Sequence, residues 1–188
     1  MKLPSISRAQ AMEALSLGRH PLENLLASGC LPDLRADHVA GLASRARAAS
    51  DCPLVIVRAG KPSRDGTRKI GYHASYLDEE VLDGSRQWWI SNPGEITSAA
   101  HIILTVSTWA VALLHVTGIA GTQTVTTMRG NTVKRHAYEA TLVARVGDLI
   151  EGEVRNVSSI PAELAPLLSV LGQRLPSPPG APLIVTRP

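Results

Sequence analysis

The sequence predicts an α+β protein: a helical module over residues 1–48, then, over residues 53–188, a β-rich domain that is barrel-like or a strongly bent sheet with a few short helices. Three observations predict it. As far as Arg47 the chain is rich in Ala and Leu, with apolar residues at helical spacing. Ala48-Ala49-Ser50-Asp51-Cys52-Pro53 then breaks that pattern as a linker does. Beyond it, short β-branched runs alternate with turn residues, and from Thr97 to Met128 no Asp, Glu, Lys or Arg appears. Hydrophobic residues make up 44% of the chain and aromatics only 3%, with no Phe, so the core must be built from Leu, Val, Ile and Ala.

Each element follows from local signals. Ser7 is the expected N-cap of a first helix carrying Ala11, Ala14 and Leu15 on one face. Ser16-Leu17-Gly18 is a turn. A second helix covers 19–28 with Leu22, Leu25 and Leu26 inward, and Gly29 stops it. A third covers 37–45. Leu54-Val55-Ile56-Val57 is a buried strand, 59–69 a basic hairpin tip, and 70–74 its return strand. Ser75 caps a short acidic helix over 76–82. Strands follow over 87–90, 102–106 and 109–116, the last two joined by a tight turn at Ser107-Thr108. Residues 133–145 alternate as a strand, and 122–128 pairs with it through Arg129-Gly130-Asn131. Pro161 opens a helix over 161–171 that Gly172 ends. Residues 176–180 are a loop, and Leu183-Ile184-Val185 a last strand.

The apolar run 102–116 raises the question of a membrane span. Thr105, Ser107, Thr108 and His115 interrupt it and β-branched residues fill it, which points to two buried strands instead. The start of the chain lacks an apolar signal-peptide region, and Cys30 and Cys52 have no metal-ligand spacing. Reduced thiols in a cytoplasmic protein are the expectation.

The net charge of +3 and isoelectric point near 9.1 are mildly basic, and their distribution says more. Residues 53–69 sum to +4 through Arg58, Lys61, Arg64, Arg68 and Lys69 against Asp65. Residues 129–135 sum to +3 through Arg129, Lys134 and Arg135. Residues 76–96 sum to −4. The two basic segments are candidate phosphate-holding patches on hairpin ends.

The run Leu15-Ser16-Leu17-Gly18, Arg19 to Asn24, then Leu25-Leu26-Ala27-Ser28-Gly29-Cys30-Leu31-Pro32 resembles the excisionase/MerR-type helix-turn-helix family. The resemblance implies a module over about residues 5–47 whose second helix enters the major groove of double-stranded DNA. It places Arg19, His20, Glu23 and Asn24 outward at the start of that helix, where Arg and Asn can read guanine and adenine edges. The family's basic wing is absent, because Asp33-Leu34-Arg35 runs almost directly into the third helix. With a net charge of +1 over residues 1–52, the module needs a second contact surface, from the β domain or from a second copy in a homodimer. The expected function is therefore sequence-dependent DNA binding, as in a transcriptional regulator or mobile-element factor.

In the β domain, Trp88-Trp89 and the run His115-Val116-Thr117-Gly118-Ile119 resemble PUA-like barrels. That resemblance implies a reader of modified or flipped bases, with Trp88, Trp89 and Trp109 either stacking on a base or filling the core, and the helical module serving as an adaptor; a small effector is another ligand for such a domain. Signals for catalysis are sparse. The histidines are scattered, Gly-rich phosphate loops are absent, and Asp78, Glu95, Glu139 and Lys134 could serve a nuclease only if the fold assembled them. No metal or cofactor is implied.

Overall fold

Ser7 starts the first helix with both halves of a capping box. In the computed structural model, which describes residues 4–48, 53–176 and 182–186, its Oγ accepts the Gln10 N–H (3.2 Å) and Gln10 Oε1 accepts the Ser7 N–H (2.9 Å). Helix α1 (Arg8–Leu15) ends at Ser16 in a left-handed conformation, and α2 (Arg19–Ala27) and α3 (Ala36–Ala43) follow. The inward faces are Ala11 and Leu15, Leu22 and Leu25, and Val39 and Leu42. Ala14 is exposed and Leu26 half-buried, so the inward stripe is narrower than the sequence suggests. Gly29, at φ +72°, turns the chain after α2.

The β domain is a strongly curled six-stranded half-barrel. Its strands are β1 (Val55–Ala59), β4 (His101–Val106), β5 (Trp109–Thr126), β6 (Thr132–Asp148), β7 (Glu153–Asn156) and β8 (Leu183–Val185), in the order β7-β6-β5-β4-β1-β8. All neighbours are antiparallel except β1 and β4, which run parallel from Ile56↔Ile103 to Ala59↔Val106. A separate two-stranded hairpin joins β2 (Ser63–Asp65) to β3 (Arg68–Ile70). The apolar run over 102–116 forms β4 and the first part of β5. Among the described residues no helix is long and apolar enough to cross a membrane.

Several elements differ from the sequence expectation, each for a local reason. The return strand expected over 70–74 does not pair with β1, whose two edges are taken by β4 and β8. The hairpin closes on itself instead, and Ala74 N–H donates to Ser28 O (2.7 Å). The acidic helix begins later, as α4 (Asp78–Ser85), because His73 Nδ1 occupies the Ser75 hydroxyl (2.7 Å) while Glu80 caps the Leu77 N–H (2.9 Å). The strand expected over 87–90 is reduced to one bridge, Trp89↔His136. A helix α5 (Pro93–Ala99), unanticipated, starts from an Asn92 cap with Pro93 at its first position. Bulges near Gly118 and Gly121 carry β5 through as one strand where two were expected. The segment Ala162–Val170 is a 3-10 helix with Pro166 inside it, and β7 was not foreseen. Cys52, residues 49–52 of the linker and residues 177–180 of the expected loop lie outside the described residues.

One cluster of buried apolar side chains unites the helices and the sheet. Leu15, Leu22, Leu25, Leu31 and Leu42 belong to it together with Ile56, Ile103, Trp109, Leu113 and Val143. Arg145, on β6 and only 4% exposed, ties the loop before α4 to the sheet. Its guanidinium donates to Tyr76 O (2.7 Å), Ala74 O (2.9 Å), Tyr72 Oη (3.3 Å) and Asp78 Oδ1 (3.2 Å). Asp78 also takes two bonds from Arg155, and these partners hold its carboxyl below the usual range.

Candidate nucleic-acid interface

Three groups of side chains were expected to meet DNA, and their surroundings differ. At the start of α2, Arg19 and His20 face solvent. Glu23 and Asn24 turn toward the β domain. Glu23 accepts from Arg19 Nε (2.8 Å) and Lys61 Nζ (3.2 Å), and these two cations hold its carboxyl far below the ordinary range. Asn24 Nδ2 donates to Ala59 O of β1 (3.0 Å), and its Oδ1 is buried without a partner. Ser107 Oγ, in the β4–β5 turn, donates to Pro21 O (2.7 Å). The first turns of α2 are thus docked on the sheet, which leaves Arg19 and His20 as its outward polar groups among the four.

The β2–β3 hairpin is largely neutralised from nearby. Lys61 pairs with Glu23, Arg68 with Asp65 (3.0 Å), and Lys69 with Glu80 of α4 (2.6 Å). Lys69 Nζ also lies 4.8 Å from the centre of the Tyr76 ring. Arg64 is exposed and makes no ion pair among the described residues. The acidic helix that follows this basic segment in sequence folds back beside it, so the depression between hairpin and α4 carries Arg64 and Lys69 opposite Glu79, Glu80 and Asp83.

The third group sits on a feature the sequence only half revealed. Beyond the sheet, residues 117–126 of β5 and 132–141 of β6 continue as a two-stranded ribbon. No Asp or Glu occurs from residue 96 to residue 138. Arg129 and Lys134 are exposed and Arg135 is half-buried; none makes an ion pair among the described residues. The ribbon ends in a closed turn. Gly130 N–H donates to Thr127 O (2.9 Å), Thr127 N–H to Asn131 O (2.8 Å), and Gly130 takes φ +79°. Met128 and Arg129 stand at the corners, with Met128 fully exposed. The signal in the sequence was the acid-free stretch itself. What hid the ribbon was the glycine pair, which reads as a break between strands and instead allows bulges within one.

The three tryptophans part ways at the ribbon's base. Trp109 is fully buried in the core, with the Arg174 guanidinium over its ring (4.7 Å). Trp89 packs against the core and donates its indole N–H to Ser85 O (2.7 Å). Trp88 is half-buried and belongs to neither the core nor its packed margin; its ring edge lies over Gly121. Elsewhere on the ribbon Thr122 Oγ1 meets His136 Nδ1 (3.0 Å), and Ser91 Oγ meets Tyr138 Oη (2.6 Å).

The carboxylates considered for a nuclease are not assembled. Asp78 is committed to Arg145 and Arg155, and Glu139 lies beside Gly118. Among the described residues no group of three or more His, Cys, Asp or Glu could hold a metal ion. A cleft of about 180 Å³ between the Gly29–Pro32 segment and β6 is lined by Cys30, Tyr72, Val111 and Asp148. Burial pushes the Cys30 thiol up to about 12, so it is not a nucleophile at neutral pH. Comparison of the chain with protein-family models, with curated proteins and with solved structures finds no match.

Proposed function

We propose that this protein binds double-stranded DNA and grips it chiefly with the β5–β6 ribbon, with Arg19 and His20 of α2 as a separate, outward-facing contact. One observation carries this reading: from residue 96 to residue 138 the chain, and so the outer part of the ribbon, holds no acidic group, and among the described residues Arg129, Lys134 and Arg135 make no ion pair apart from any contact with the masked segments. Cations of this kind gain most from phosphates, whose neutralisation releases condensed counterions. Sequence readout by α2 alone is disfavoured by the Asn24–Ala59 bond and the Glu23 ion pairs. Fluorescence anisotropy on a random-sequence duplex across a salt series tests the proposal. Replacing Arg129, Lys134 and Arg135 together by Ala should weaken binding and flatten the salt slope by up to about 2.7, at about 0.9 for each phosphate no longer neutralised. An unchanged slope would remove the ribbon from the interface.

Trp88 favours a second reading, in which the β domain takes up an unstacked base. It is a half-buried aromatic ring outside the core, and a ring of that kind can stack on a base of any sequence. Trp88→Ala should then reduce affinity for single-stranded or mismatched DNA more than for a perfect duplex.

A further inference from the structure

β5 has one unguarded edge. Its pairing with β4 runs from Val106↔Trp109 to His101↔His115, and Val116 N–H reaches Ala100 O. Beyond that point β6 occupies one side of β5, helix α5 packs against β5 where β4 begins, and among the described residues no backbone group outside β6 hydrogen-bonds to residues 117–126. From Gly121↔Ala137 to Thr126↔Thr132 the register with β6 is unbroken, so alternate residues of this segment direct N–H and C=O groups away from the ribbon. Residues 117–126 read Thr-Gly-Ile-Ala-Gly-Thr-Gln-Thr-Val-Thr, with no charge and no proline.

The other edges of the fold are protected in the ways natural sheets use. β7 carries Glu153 and Arg155. β8 is short and follows Pro182. The outer side of β6 in the ribbon is bridged by Trp89 at His136 and by Arg86 O at Tyr138, with Lys134 beyond.

We propose that residues 121–126 of β5 pair antiparallel with the same segment of a second copy of this chain, making a four-stranded ribbon with the two β5 strands at its centre. The edge is self-complementary. About a two-fold axis, even-numbered positions face even-numbered positions, so exposed Thr122, Thr124 and Thr126 meet threonines, a favourable cross-strand pairing. No like charges are brought opposite each other. The cations nearest in register, Lys134 and Arg135, sit on β6, so three strand spacings, roughly 14 Å, separate those of the two copies, beyond a Debye length of about 8 Å. The row of exposed threonines at alternate positions matches itself about the two-fold axis, and this self-match names a second copy as the occupant. The proposal does not depend on DNA binding.

Sedimentation velocity on the full chain over a concentration series tests it. The expected result is a reversible monomer–dimer equilibrium in the micromolar range, as a small polar interface gives. Thr124→Lys and Thr124→Glu should each raise the dimer dissociation constant about fivefold or more by setting like charges across the two-fold axis, and an equimolar mixture of the two should restore dimerisation. That rescue separates loss of the interface from loss of the fold. A wild-type chain that stays monomeric at high concentration, or variants that assemble as the wild type does, would overturn the proposal.

Discussion

Among single residues, His101 has its protonation state fixed most fully by its surroundings. It is 3% exposed, its Nδ1–H donates to Ala99 O (2.8 Å), and its Nε2 accepts the Val55 N–H (3.2 Å). Both ring nitrogens are satisfied only in the neutral form, and burial, partly opposed by the Ala99 bond, lowers its pKa. The sign follows directly. Below the ordinary His value of about 6.5 the unfolded chain binds a proton that the folded chain resists, so stability falls as pH drops through that window toward the depressed folded value. Above it the residue contributes no pH dependence. His101→Gln should therefore reduce stability at neutral pH yet flatten the decline in Tm between neutral and mildly acidic pH. Parallel Tm–pH profiles for wild type and variant would refute the assignment. Asn24 teaches a related lesson about legibility. Its position in sequence marks it as a candidate base reader, whereas what the sequence could not show is that its half-buried amide donates to the Ala59 carbonyl of β1.

At the scale of elements, the ribbon depends on one backbone conformation. A Cβ on Gly130 would meet nothing within 4 Å, so the demand there is for positive φ alone. Gly130→Val should cost the turn about 1–2 kcal/mol or more, whereas Gly130→Asn, which tolerates the left-handed region, should cost little. Because the tip stands outside the core, the global Tm should barely move. Amide hydrogen exchange over residues 122–136 should instead accelerate in the Val variant and not in the Asn variant, and equal protection in both would contradict this account. This turn was visible in the sequence as Arg129-Gly130-Asn131, as were the Ser7 cap, the Gly29 and Gly172 stops, and β8. All of these are set by neighbours a few residues away. The partner of β1, the extent of β5 and the neutralisation of the β2–β3 hairpin by Glu23 and Glu80 were not visible, because pairing over long sequence separations decides them. Charge summed along the chain identified both basic segments but could not tell which would keep its charge free.

For the whole molecule, the question is whether the helices form an independent unit. They carry the helix-turn-helix spacing, yet their apolar faces have no core of their own. Leu15, Leu22, Leu25, Leu31 and Leu42 are each at most 1% exposed within the cluster that also holds the sheet's inner face. Polar ties cross the same boundary: Arg174 donates to Leu15 O (3.0 Å), Ala74 to Ser28 O (2.7 Å), and Arg45 to Ile150 O. At about 1.5–3 kcal/mol per fully buried side chain, those five leucines represent roughly 7–15 kcal/mol of burial. That is comparable to the whole stability of an ordinary domain, about 5–15 kcal/mol. A chain of residues 53–188 alone should therefore lose cooperative thermal unfolding and near-ultraviolet circular dichroism, and bind a hydrophobic dye through the uncovered face of β4 and β5. The helical module alone should not fold stably either. A sharp, reversible melt of the truncated chain would mean that the sheet closes its own core without α1–α3. If the truncated chain behaves as expected, its failure to bind DNA carries no information about α2, and the two contact surfaces must be separated by point substitutions at Arg19 and His20 on one side and Arg129, Lys134 and Arg135 on the other.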